Sequence, residues 1–459
     1  MEIQSSRSPN ANEVLRIFPP ELLTRIFSYC SSPKTIAHPP NFTQTCARWR
    51  AIAHSSPELW RVIDIELPPG LETEADSSRF ELAITDWVLR SSDLSVDLTV
   101  YGALFRNTDL NRPSEFQRDL YAKVYKNIVM KFSGKWRYLC TPYAWDIHDF
   151  LLDLKQLTAL EELEMSAVTC EKPATHELFP EAPCLRKQSF ELSRNPSMAC
   201  LEKFIPSTIV DLNLLSAPGV FGFWSDFIQD LLKLDITRHL THLQLDSLGW
   251  LEPHHLPPVS LPELVEFMLK GTINASGDLL GALTLPSLRK LSLETSHFRG
   301  NGDQGPKVGV ALVELQRKSH FPLASLSLTW MLEEPENKAI SLDDFFQFLS
   351  SAVTIERLHI HADGRTDTYR LMEFLRYDEQ LPGKQILPHL TTFSATSLTD
   401  SEDTSCSHFM DFVRSRWWPL NSAPGSSGVD KLQTLDILAC DLNEMTKKEL
   451  ETCHDEGLK

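Results

Sequence analysis

Apolar positions recur along this chain in a kernel of the form L-x-x-L-x-L, with Ile, Phe or Met sometimes replacing Leu. Each kernel predicts a short half-buried strand. The first copy is Leu160-Leu163-Met165, followed by Ile209-Leu212-Leu214, Leu240-Leu243-Leu245, Leu264-Phe267-Leu269 and Leu288-Leu291-Leu293. Then come Leu323-Leu326-Leu328, Ile355-Leu358-Ile360, Leu390-Phe393-Ala395 and Leu432-Leu435-Ile437, with a weaker copy around Leu185 and Phe190 and an irregular one at Trp136-Leu139. Through the middle the spacing is about 24 or 31 residues, and later it opens to roughly 32–42. Prolines before Leu264, Leu288 and Leu390 suit a turn that enters a strand.

The wider spacings hold helix-like runs. Ser341-Leu342-Asp343-Asp344 resembles a capping box ahead of Phe345, Phe346, Phe348 and Leu349, and Tyr369–Tyr377 and His408–Trp418 read similarly. A strand, a helix and a parallel strand make a right-handed crossover, and stacked units bury one continuous core. The expected fold class is therefore α/β, an irregular leucine-rich-repeat-like solenoid of short parallel strands and helices. In such strands the kernel residues point inward and those between them outward, onto a concave face. That face supplies the candidate substrate-binding residues Glu164, Asn213, Gln244, Asp246, Met268, Lys270, Lys290, Glu294, Arg357, His359 and His361, beside Glu162, Asp211, His242, Glu266 and Ser292. Its mixed charge suits a protein partner better than a phosphate polymer.

Upstream, Phe18-Pro19-Pro20-Glu21 predicts a helix start, since proline fits a first turn and Glu21 complements the positive helix end. Leu22, Leu23, Ile26 and Phe27 gather on one stripe of that helix, and a second helical pattern gathers Phe42, Cys46, Trp49 and Ala53. Ser56-Pro57-Glu58-Leu59-Trp60 closes the segment, and Phe80 to Leu89 predicts a further helix before a first alternating strand at Leu94–Val100. An apolar helix pair of this kind is either the cap of the next domain or an interface.

The string Phe18-Pro19-Pro20-Glu21-Leu22-Leu23-x-x-Ile26-Phe27, then Cys46-x-x-Trp49-Arg50-x-Ile52-Ala53, then Pro57-x-Leu59-Trp60 resembles an F-box, most closely those abundant in mushroom-forming fungi. Phe18 stands where leucine is common before the first proline, and Thr45 where valine is common before the cysteine. The resemblance implies a three-helix module that docks on the Skp adaptor and through it on a cullin. It implies that Phe18, Pro19, Leu22, Leu23, Ile26 and Phe27 face that adaptor, while Cys46, Trp49, Ile52, Leu59 and Trp60 form the module's core. The expected role is the substrate-recognition subunit of a ubiquitin ligase, non-catalytic itself and holding an unidentified protein substrate on its repeats. The alternative is a repeat scaffold outside any ligase.

Composition narrows the rest. A hydrophobic fraction of 42% with 23% charged residues is that of a folded chain of 459 residues, too long for one ordinary core. The expected order is a flexible tail (1–12), an F-box-like domain (13–67), a connector with a first irregular strand unit (68–130), the solenoid (131–445) and a C-terminal tail (446–459). A net charge of −18 without a basic stripe argues against nucleic acid. No apolar run approaches the ~18 residues of a membrane span, and no signal peptide is evident, so a cytoplasmic or nuclear location is expected. The nine cysteines form no CxxC pair and read as reduced thiols, and the Asn41 and Asn274 sequons as chance matches. His359 and His361 project alike, but two ligands make an incomplete metal site, and neither metal nor cofactor is expected. No HExxH, GxSxG, Walker A or dinucleotide fingerprint appears.

Overall fold

The computed structural model describes residues 18–30, 43–66, 73–101, 123, 126–141, 157–168, 182–192, 205–216, 224–248, 256–296, 308–330, 342–362, 368–377, 385–396, 403–417, 429–438, 444–455 and 457–459. The chain forms two compact units, one of Met1–Phe190 with Lys203–Thr208, the other of Glu191–Glu202 with Ile209–Lys459. The first boundary inside the chain therefore falls within the strand array, not ahead of it.

In the first unit, helix α1 (Pro20–Cys30) starts as its prolines suggest, with the Leu22 and Leu23 amides both donating to the Pro19 carbonyl. Helix α2 (Ala47–His54) and a 3-10 turn (Pro57–Trp60) follow. Strand β1 (Val62–Glu66) comes directly after the turn, ahead of helix α3 (Glu74–Arg90), whose N-cap Thr73 accepts from the Asp76 amide. Strands β2 (Val96–Tyr101), β3 (Trp136–Thr141) and β4 (Glu162–Val168) continue the order, β1 to β4 pair in parallel, and β5 (Lys187–Leu192) belongs to this unit as far as Phe190. The β2–β3 register slips at Val96/Asp97, where Arg137 is the extra residue and its Nε donates to Asp97 Oδ1 at 2.9 Å.

In the second unit, β6 (Asp211–Ser216) and β7 (His242–Leu248) are separated by helix α4 (Trp224–Lys233). Then come β9 (Glu266–Thr272), α5 (Ile273–Ala282), β11 (Lys290–Ser296), α6 (Val308–Ser319) and β12 (Ser325–Trp330). The unit continues with α7 (Leu342–Ser351), β13 (Arg357–Ala362), α8 (Thr368–Leu375), β14 (Thr392–Thr396), α9 (Asp403–Trp417) and β15 (Thr434–Leu438). These strands pair in parallel, and two-residue strands β8 (Val259–Ser260) and β10 (Leu283–Thr284) pair apart from them. The result is a repeat solenoid of strands and helices, as the kernels predict.

The kernel leucines stack in rows. Leu243, Phe267, Leu291, Leu326, Leu358 and Phe393 lie side by side across six strands, and all are buried. Each contributes about 1.5–3 kcal/mol on burial. Helices close the other side with Leu312, Leu315, Phe345, Phe348, Phe412 and Val413, all buried. A recurring turn sets each strand's entry. The amide of Leu264 donates to the Leu261 carbonyl, Leu288 to Leu285 and Leu390 to Leu387, with Pro262, Pro286 and Pro388 at the second turn position, where a fixed φ is favourable. The repeat thus has a further inward residue three positions upstream of the kernel. Beyond each turn, two consecutive amides converge on one carbonyl of the preceding repeat: Arg289 and Lys290 on Val265, Ala324 and Ser325 on Arg289, Glu356 and Arg357 on Ala324.

The end of the chain departs from the expected tail. Helix α10 (Glu444–Asp455) buries Cys453, and Lys459 pairs with β15, its carbonyl accepting from the Leu435 amide and its amide donating to the Gln433 carbonyl. An edge strand carries unpaired backbone groups, and this contact uses two of them. Nearby, the buried guanidinium of Arg416 donates to the carbonyls of Leu375, Leu387 and Ile386, and burial lowers its pKa to about 10.

Leu291 and Ser292 test the alternation directly. Leu291→Ala is expected to cost about 2–5 kcal/mol by chemical denaturation, because its cavity lies between two strands and cannot collapse. Ser292→Ala, on the outward side, is expected to change stability by less than about 0.5 kcal/mol.

Candidate protein-binding surfaces

Two surfaces emerge, one in each unit. In the first, α1 is split between two roles. Leu23 and Phe27 are 2% and 0% exposed and pack with Ile52, Ala53, Leu59 and Trp60, with Phe18, Trp49 and Trp87 partly buried against them. Leu22, Ile26 and Tyr29 are 47%, 44% and 70% exposed. Successive residues of a helix turn by ~100°, so positions 22, 26 and 29 share one face and 23 and 27 the next. The four apolar residues expected to form one adaptor-facing stripe therefore divide. Leu23 and Phe27 belong to the core of the module, and the open stripe is Leu22, Ile26 and Tyr29 beside the exposed Pro19.

Several contacts fix that helix. The Phe27 and Trp49 rings lie 4.9 Å apart at 58°, and Arg48 Nη2 donates to the Phe18 carbonyl at 2.5 Å. Trp60 Nε1 donates to the Ala53 carbonyl at 2.7 Å, and the Arg90 guanidinium of α3 sits 4.7 Å over the Trp60 ring. Cys46, expected in the core of the module, is instead exposed. It is the extended N-cap of α2, and its Sγ accepts from the Trp49 amide at 3.4 Å, a task for which a side chain must stay at the helix end. Tyr29, exposed on the same face, lies outside the expected set because a phenol at the end of a helix reads as polar.

On the first unit's strand face, Glu164 accepts from the Tyr138 hydroxyl at 2.8 Å. Burial, with Cys140 and Glu164 beside it, pushes the Tyr138 pKa up. Burial and the Glu164 charge likewise push the Cys140 thiol up to about 12, which keeps it protonated and unreactive.

In the second unit, the outward residues fall into rows across the strands, as the alternation requires. One row runs Asn213, Gln244, Met268, Ser292, Ser327, His359, Ser394, Asp436. A second carries His242, Glu266, Lys290, Ser325, Arg357 and Thr392, and a third Lys270, Glu294, Thr329, His361 and Thr396. Charges on β9 and β11 are matched: Lys290 Nζ lies 2.5 Å from Glu266 and Lys270 Nζ 2.9 Å from Glu294. The Glu294 hydrogen bond raises the Lys270 pKa, and Asp246 adds to it. His361 Nδ1 is hydrogen-bonded to Thr396 Oγ1, and His242 Nε2 lies 3.8 Å from Glu266. Among the described residues, no three or more His, Cys, Asp or Glu side chains assemble as a metal site, and no helix is long and apolar enough to cross a membrane.

Burial lowers the pKa of His359, and the charges of Arg357 and Lys290 lower it further, while Asp436 opposes them. In a histidine-resolved NMR titration, the His359 midpoint is expected below the ordinary 6.5, and Arg357→Gln is expected to raise it. The folded pKa lies below the unfolded one, so the unfolded chain takes up the proton first. His359 therefore withdraws stability as the pH falls through 6.5.

Comparison with known proteins bears on the first surface. The F-box-like family profile matches residues 16–66, which span α1, α2, the 3-10 turn and β1. No curated protein matches the chain. A crystal structure of a Bacteroides fragilis protein is similar at 15% identity and a TM-score of 0.35, covering 73% of this chain and 81% of its own.

Proposed function

We propose, from the F-box-like domain at residues 16–66, that this chain is the substrate-recognition adaptor of a Skp–cullin–F-box ubiquitin ligase. The observation that carries the reading is the open stripe of Leu22, Ile26 and Tyr29 on a helix whose other face is closed by its own core. Apolar side chains held outward on a rigid helix are what a docking partner covers. The Skp adaptor takes that stripe, and the outward strand face of the second unit takes a protein substrate. The chain supplies proximity, catalysis belongs to its partners, and it works in the cytoplasm, the nucleus or both. The likeness to fungal F-boxes rests on the N-terminal string alone.

The test is a pull-down of the purified Skp adaptor with the full chain. Leu22→Asp with Ile26→Asp is expected to weaken capture by more than tenfold, since each lost apolar contact is worth ~1.5–3 kcal/mol and ~1.4 kcal/mol is tenfold. Both side chains are open, so the thermal unfolding curve should not move. Leu23→Asp, in contrast, should unfold the module. Failure of the unmodified chain to bind the adaptor would return the reading to a scaffold outside the ligase.

A further inference from the structure

Three adjacent strands of the second unit carry a pattern that the ligase reading does not use. Strand β13 presents Arg357, His359 and His361 outward, and both of its neighbours present only hydroxyls at the matching positions. Arg357 lies between Ser325 and Thr392. His359 lies between Ser327 and Ser394, and His361 between Thr329 and Thr396. No carboxylate faces outward on these rows of β12, β13 or β14, in a chain with 62 acidic against 44 basic residues. Among the described residues no carboxylate pairs with Arg357, whereas Lys290 and Lys270 each hold one on the strands before.

We infer that the face of β12–β14 is the subsite that reads an acidic, carboxylate-bearing extended segment of the protein substrate, with Arg357 as its anchor. The inference rests on the strand face being the substrate-binding surface. Outward residues along β13 are spaced by ~6.6 Å, so an extended segment lying along it lowers every second side chain onto the same rows. The planar guanidinium fork matches a planar carboxylate with two parallel N–H···O bonds, and the half-buried Thr392 hydroxyl beside it can donate to a remaining lone pair, whereas Ser325 on the other side is buried. Carboxylate is favoured over phosphate by charge. Burial and the neighbouring cations hold His359 toward its neutral form, so on β13 the fixed positive charge is that of Arg357, which no carboxylate pairs with among the described residues, and one such charge balances one carboxylate, not a dianion.

The experiment is fluorescence anisotropy of the full chain with a labelled peptide of alternating Gly and Glu, set against alternating Gly-Lys and Gly-phosphoserine peptides. Saturable binding of the Gly-Glu peptide is expected, weakened on the order of tenfold by Arg357→Gln, partly kept by Arg357→Lys, and reduced by added salt. The Gly-Lys peptide should not bind. Gly-Glu binding that ignores Arg357→Gln, or that Gly-Lys matches, overturns the assignment, as does binding by the phosphoserine peptide alone. Arg357 is exposed, so Arg357→Gln should unfold at the temperature of the unmodified chain. Capture of the Skp adaptor is a separate readout. Its loss in the unmodified chain overturns the ligase reading and leaves the peptide result standing.

Discussion

The second unit depends on one constraint. Parallel strands cannot be joined by a tight hairpin, so each must leave the sheet, cross over as a helix or loop, and return in register with its neighbour. A one-residue slip would turn every leucine of a strand to the outside. The chain meets this at the strand entry, where a proline-bearing turn buries residues three apart and two amides then converge on a single carbonyl of the preceding repeat. Once Arg289 and Lys290 are held on Val265, the inward direction of Leu291 and Leu293 follows, and so does the outward direction of the residues between them.

The N-terminal module solves a related problem on a smaller scale. Some fifty residues have little interior, and here Leu23, Phe27, Leu59 and Trp60 fill it, with Trp87 of α3 leaning in from outside. Spending two of the apolar side chains of α1 on that interior is what makes the other face rigid. The Leu22, Ile26 and Tyr29 stripe is presented by a helix that cannot roll, because rolling it would expose Phe27 to water.

The array was legible because its signal repeats: a buried leucine three residues before another is weak evidence once and strong evidence many times over. Strand β1 was not, since Val62-Ile63-Asp64-Ile65 is too short for alternation to separate it from the end of the preceding module. The upstream turn residue escaped for a different reason. Leu261, Leu285 and Leu387 are plain in hindsight, but Ala182 and Ala352 hold the same place in other repeats, and alanine carries no apolar signal. On α1 the pattern shows the stripe but not its division, because neighbouring faces both read as apolar and only packing against Ile52 and Trp60 decides which turns inward. Cys46 reads as core because it is small and apolar, whereas its sulfur serves a helix cap. Helix α10 is polar enough to read as a tail, and its anchoring depends on Cys453 and on backbone pairing, which composition does not show.

The turn-and-carbonyl entry has a consequence for how such a chain changes. Because alignment is reset at the start of each strand, an insertion or deletion in the crossover that precedes it is absorbed there and not passed on to the next repeat. Spacings of about 24 residues and of roughly 32–42 coexist in one sheet for that reason. Each strand's outward triplet can then be rewritten alone, so a recognition surface of this design is open to remodelling one position at a time while the interior that supports it stays as it is.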